Sequence, residues 1–176
     1  MQTQDSATLS SGPSARAVVR HLLATLAYRA AKVLRDVPPE FAVMSAGETT
    51  RSPVGIVGHM ADLMAWGTTL ARGDYVWKAE ASGDWETEVR RFFDGLAAID
   101  RELAGEDPFA GSLEQLIHGP LADALTHVGQ LAMLRRMAGH PVRPESYARA
   151  EIVVGRVGPE QAPSRREFDG DASDRT

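Results

Sequence analysis

There is no cysteine among the 176 residues. That single absence removes disulfides, thiolate zinc sites and a cysteine nucleophile together, so any metal must be held through nitrogen and oxygen. No apolar run reaches the ~20 residues needed to cross a bilayer. The N-terminal MQTQDSATLSSGPS lacks the basic-then-apolar order of a signal peptide, so no membrane contact and a cytoplasmic location are expected. Basic residues are outnumbered, 19 against 24 acidic, for a net charge of −5. They fall in scattered pairs (Arg90-Arg91, Arg135-Arg136, Arg165-Arg166) and not in a stripe, which argues against a nucleic-acid surface. The chain has no G-x-S-x-G elbow, no H-E-x-x-H and no EF-hand loop. The glycines of Val153-Val154-Gly155-Arg156-Val157-Gly158 match neither a phosphate loop nor a dinucleotide fingerprint. There is no βαβ alternation and no solenoid repeat.

What remains is an ordinary balance for one globular domain, 43% hydrophobic and 24% charged, long enough to bury a core. Four amphipathic stretches are delimited by helix signals. Ser14 caps a helix to about Arg35, with Val18, Val19, Leu22, Leu23, Leu26, Ala30, Val33 and Leu34 as its stripe and Pro38-Pro39 beyond it. Residues 37–50 read as a loop from which Phe41, Val43 and Met44 tuck into the core. Ser52-Pro53, a capping hydroxyl followed by proline at the first helical position, opens a second helix that ends at Gly73. After a linker over 73–83, Asp84 caps a third helix to about Ala104. A short piece follows Ser112, and Gly119-Pro120 opens the last helix, which stops at Gly139. Met60, Met64, Met133 and Met137 take core-like positions. The expected fold is therefore all-α, a four-helix bundle with an extended C-terminal arm. Its domain spans 14–157, with a disordered N-terminus over 1–13 and a loose tail over 158–176. Glu151-Ile-Val-Val is the one strand-like run and is expected to pack as part of the arm.

The last helix carries three polar residues on a largely apolar surface: Asp123, His127 and Gln130. Asp123 and His127 are four apart and share a face, so a carboxylate and an imidazole can converge on one metal ion. On the second helix His59, Asp62, Leu63 and Trp66 also share a face. Bundles build metal sites from facing helices, so His59 could meet Asp123 and His127. Each residue also has a plainer reading. A lone helical histidine is more often a semi-buried side chain bonded to a carbonyl, or here to Asp62. Asp123 suits a first-turn carboxylate facing the helix dipole, and Gln130 a solvated or interhelical hydrogen bonder.

The order of elements, Gly58-His59-Met60-Ala61-Asp62 in the second helix and T-H-V-G-Q-L-A-M-L-R-R-M-A-G in the fourth resemble the DinB/YfiT-like family of bacterial metal-binding bundles. The resemblance runs from about Ala15 to Gly139. In that family one histidine of the second helix and two of the fourth, spaced H-x-x-x-H, hold a divalent ion, and the final histidine is commonly followed by x-G-Q-L. His127-Val128-Gly129-Gln130-Leu131 fits that pattern; Asp123 departs from it, standing where the first histidine is expected. Either Asp123 is an oxygen ligand in a two-histidine, one-carboxylate set, suited to zinc with an open position or to iron, nickel or manganese, or it marks a degenerate site. The retained site is the favoured expectation.

The resemblance implies a metal-dependent transferase, with a low-molecular-weight thiol as one substrate, or a hydrolase. His59, Asp123 and His127 would bind metal, Asp62 or Gln130 would orient a ligand, and Trp66 would wall the pocket. The expected partners are a small-molecule substrate and a second copy of the chain in a homodimer. The alternative is a non-catalytic helical bundle that dimerises or binds a small ligand.

Overall fold

The N-terminal Ser14 of the described region accepts a hydrogen bond from the Ala17 N–H at 3.2 Å and starts α1, Ala15–Leu34. The structure is a computed structural model and describes residues 14–168; the expectations for 1–13 and for the chain end beyond 168 lie outside it. A one-turn helix α2, Pro39–Ala42, follows. It buries Phe41 as expected, but Val43 is left exposed. Ser52 Oγ accepts from the Gly55 N–H at 3.3 Å and Pro53 takes the first position of α3, Pro53–Ala71. The Asp84 carboxylate accepts from the Thr87 N–H at 2.9 Å to start α4, Trp85–Ala104. Then come α5, Leu113–Leu116, a π-type turn over Ile117–Leu121, and α6, Ala122–Met137. The chain breaks at Gly119 (φ −87°, ψ −106°), and Pro120 begins the new rod, where the sequence places it.

The described residues are all-helical, with no strand; Glu145 and Glu167 form one isolated antiparallel bridge. The strand-like run Glu151–Val154 is irregular, and Val153 and Val154 are exposed. No described helix is long and apolar enough to cross a membrane.

Helix α3 packs on α4 and α6, and α1 packs on the same two. The α3–α4 contact is close because glycine permits it: a Cβ on Gly95 would lie 2.5 Å from Met64 Cβ, and one on Gly67 would lie 2.8 Å from Ile99 Cδ1. Leu23, Leu26, Met60, Met64, Phe92, Leu96, Ile99, Leu121 and Leu131 fill the interior with no exposure. Met133 and Met137 differ from expectation and are 58% and 60% exposed.

Buried charges tie the remaining segments down. Arg135 donates to the carbonyls of Val33 (3.2 Å), Arg35 (2.7 Å) and His140 (3.0 Å). It thus supplies a cation to the otherwise unpaired carbonyl end of α1. The tail expected to be loose from Gly158 is held as far as Phe168. Lys32 of α1 donates to Glu145 at 2.8 Å and to Glu167 at 2.7 Å, and Tyr28 Oη donates to Glu145 at 2.6 Å. Ser146 and Phe168 close the pairing through backbone bonds to Arg166 and Pro144. A polar composition suggested a free end, but three complementary charges placed at the α1 surface give it a seat.

Candidate metal centre

Helices α3 and α6 face each other, and their N-terminal halves bring polar side chains to one point. His59 comes from the second turn of α3; Asp123 and His127 come from successive turns of α6. His59 Nε2 lies 3.4 Å from Asp123 Oδ2, and His127 Nε2 lies 3.3 Å from Asp123 Oδ1. The two imidazole rings are 5.0 Å apart and nearly perpendicular. One ligand atom from each residue lies within 4.8 Å of the others.

These separations are longer than the 2.7–2.9 Å of a charge-assisted hydrogen bond. They match the roughly 3.4 Å between neighbouring ligands on a tetrahedral ion with bonds of about 2.0–2.1 Å. The three residues could therefore hold a metal ion. Both nitrogens must be unprotonated to do so. His127 Nδ1 is 2.8 Å from Gln130 Oε1. The amide oxygen can only accept, so Nδ1 is the ring nitrogen that donates here, and Nε2 is the one turned toward Asp123. At His59 burial pushes the pKa below the usual value, and the charges of Arg51 and His127 act in the same direction against the opposing Asp123.

Around this group the expected residues divide. Gln130 lies beside the group, its Oε1 against Nδ1 of His127. Asp62 does not: its carboxylate accepts from the Glu80 N–H at 3.1 and 3.2 Å and from Arg91 at 2.7 Å. It turns toward the 73–83 segment and α4, so its partner is a structural cation and not a ligand of the site. Trp66 is one ring removed. It packs edge-on to Trp77, 5.9 Å away, and Trp77 in turn stands 5.9 Å from His59. Trp66 lines a separate small cavity of about 170 Å³ with Tyr75, Gln115 and His118; its Nε1 is buried without a partner.

The large cavity beside the centre, about 710 Å³, is lined by His127 and Gln130 together with Arg51, Ile56, Gly129 and Met133 among others. Helical periodicity marks Ile56 and Met133 only as apolar positions and says nothing of Arg51 or Gly129. A glycine in mid-helix was the one available signal.

No family model matches this chain, and no curated protein or solved structure matches it.

Proposed function

We propose that this chain is a metal-dependent enzyme of the DinB/YfiT-like kind, a four-helix bundle of α1, α3, α4 and α6 with a divalent ion held by His59, Asp123 and His127. The observation that carries the reading is one carboxylate facing two imidazole nitrogens at ligand-to-ligand distance, 3.3 and 3.4 Å, with a cavity opening beside it. Two nitrogens and an oxygen suit zinc with an open position, or iron, nickel or manganese. Such an ion lowers the pKa of a water or thiol bound to it toward neutrality. Gln130 holds the His127 ring in the tautomer that presents Nε2. Trp77 limits rotation of His59 by standing against its ring. The reaction class is transfer to, or hydrolysis of, a small molecule, with low-molecular-weight thiols among the substrates to screen.

Elemental analysis of untagged protein tests the reading. Near one ion per chain is expected, lost in His127→Ala and kept in Asp123→His, which restores the H-x-x-x-H spacing. Removing the ion from wild type with a chelator should cost stability, about 2.7 kcal/mol relative to protein at a hundredfold Kd of free metal. Absence of metal from wild type after refolding with zinc, nickel or iron would overturn the proposal and leave the non-catalytic bundle.

A further inference from the structure

We propose that the cavity beside the centre takes an organic carboxylate with an apolar body, its head gripped by Arg51 and its body laid over Gly129 between Ile56, Met133 and Leu134. The proposal rests on the reading of His59, Asp123 and His127 as the reacting end of that cavity.

The volume of about 710 Å³ is that of a small-molecule site, and its chemistry is unevenly distributed. Ile56 and Leu134 are 5% and 8% exposed and give a fixed apolar floor. Met133 is 58% exposed and supplies a flexible, unbranched wall. The one full charge on the lining is Arg51, immediately before the Ser52 cap of α3. Among the described residues it has no hydrogen-bond or ion-pair partner. A single planar guanidinium offers one fork, which a carboxylate fills with two parallel hydrogen bonds. An ammonium head would be repelled.

Gly129 is the observation that points to a ligand body. Glycine weakens a helix interior relative to alanine, and at three other helical positions packing requires it. A Cβ on Gly58, Gly67 or Gly95 would come within 2.7, 2.8 or 2.5 Å of a neighbouring side chain. At Gly129, in the middle of α6, a Cβ would meet nothing within 4 Å. No neighbour and no positive φ demands a glycine there. What its missing side chain leaves open is the cavity, one helical turn before Met133 and two residues after His127.

The test is calorimetric titration of metal-loaded protein with octanoate. Acetate, which has the head without the body, and octylamine, which has the body with the opposite head, serve as comparisons. Octanoate should bind at least about tenfold tighter than acetate, since several methylenes leave water, and tighter than octylamine by a similar factor. Arg51→Gln should weaken octanoate about tenfold, the worth of a charged hydrogen bond, without changing bound metal. Gly129→Leu fills the open space without a clash. It should weaken octanoate by about the same factor, leaving acetate binding, metal content and the circular dichroism spectrum unchanged. Octanoate binding no tighter than acetate, or binding unaltered in both variants, would overturn the proposal. Metal content measured on the same samples separates the two readings. Octanoate binding that needs Arg51 and open space at Gly129 in a protein that takes up no metal would sustain this proposal and remove the metal centre. Normal metal uptake without octanoate selectivity would remove this proposal alone.

Discussion

Asp62 on α3 and Asp123 on α6 are both carboxylates, and the protein treats them in opposite ways. Asp62 is 3% exposed, and close donors surround its oxygens: Arg91 at 2.7 Å and the Glu80 N–H at 3.1 Å. Its neighbour Glu88 has no exposure and accepts from the N–H and hydroxyl of Ser82 and from the other arm of Arg91. Burial by itself would push the Glu88 carboxyl up, but those hydrogen bonds outweigh it and hold the group below its usual range. Asp123, by contrast, has a side chain 45% exposed and meets two basic nitrogens at 3.3 and 3.4 Å. Where donors carry protons, the carboxylate closes up on them. At Asp123 the two imidazole nitrogens stand further off, and the three residues form a group that could hold a metal ion. The first arrangement is saturated and fastens the 73–83 segment to α3 and α4. The second leaves its carboxylate half open to solvent.

Breaking the saturated cluster should give the largest effect on folding. Arg91→Ala leaves Asp62 and Glu88 as uncompensated buried carboxylates, which costs about 3–5 kcal/mol and lowers Tm by about 10 °C for a chain of this size. Denaturant titration measures the first and calorimetry the second. Bound metal per folded chain should not change. A loss under about 1 kcal/mol would instead class the cluster with surface ion pairs, and the contrast with Asp123 would fail.

The contrast also explains what was legible in the sequence. Helix boundaries were, because Ser14, Ser52 and Asp84 each use an oxygen to accept the N–H three residues on, a purely local bond. The pairing of Asp123 with His127 was legible for the same reason, being one helical turn, and His59 could join them because facing helices share a core. Asp62 was misassigned because it shares a face with His59, while its partners Glu80 and Arg91 are 18 and 29 residues away. No local spacing predicts such a bond. The seat of the C-terminal arm was hidden more completely, since Lys32 meets Glu145 and Glu167 across 113 and 135 residues. Met133 was misread as core because helical periodicity gives a face without saying whether anything covers it.

The arm supplies an intermediate case, saturated like Asp62 but nearer the surface, with the Glu145 side chain fully buried and Glu167 at 24%. At neutral pH, Glu145→Gln should cost about 1.5–3 kcal/mol, the worth of hydrogen bonds to a charged group. Acid should reproduce part of that loss. Burial alone would raise the Glu145 carboxyl; bonds from Lys32, Tyr28 and Ser164 outweigh it and hold the folded value below the usual 4.5. Glu167 is held down as well, chiefly by Lys32. A carboxyl with a depressed folded pKa contributes its stability above the unfolded value and loses it as pH falls toward the folded one. Wild-type stability should therefore decline below about pH 4.5, and the decline should be shallower in Glu145→Gln, which has one such group fewer. Parallel curves for the two proteins would mean that Glu145 is not the group being protonated.

The smallest effect on folding, and the sharpest test of the difference between the two carboxylates, is expected at Gln130. Its side chain is exposed and is bonded through Oε1 to Nδ1 of His127. Gln130→Leu removes no core contact, so the unfolding free energy of metal-free protein should move by no more than about 0.5 kcal/mol. What it removes is the acceptor that keeps the ring proton on Nδ1 and the lone pair on Nε2, a kind of support worth about 10–100-fold in metal affinity. Gln130→Glu keeps an acceptor and adds negative charge behind the ring, so it should match or exceed wild type. Chelator competition on the three proteins reads this directly. If Gln130→Leu binds metal as wild type does, the 2.8 Å contact only tethers an exposed side chain. If affinity falls in Leu and returns in Glu, the imidazole of His127 is oriented for coordination, and Asp123 differs from Asp62 because of what the two histidines beside it are arranged to hold.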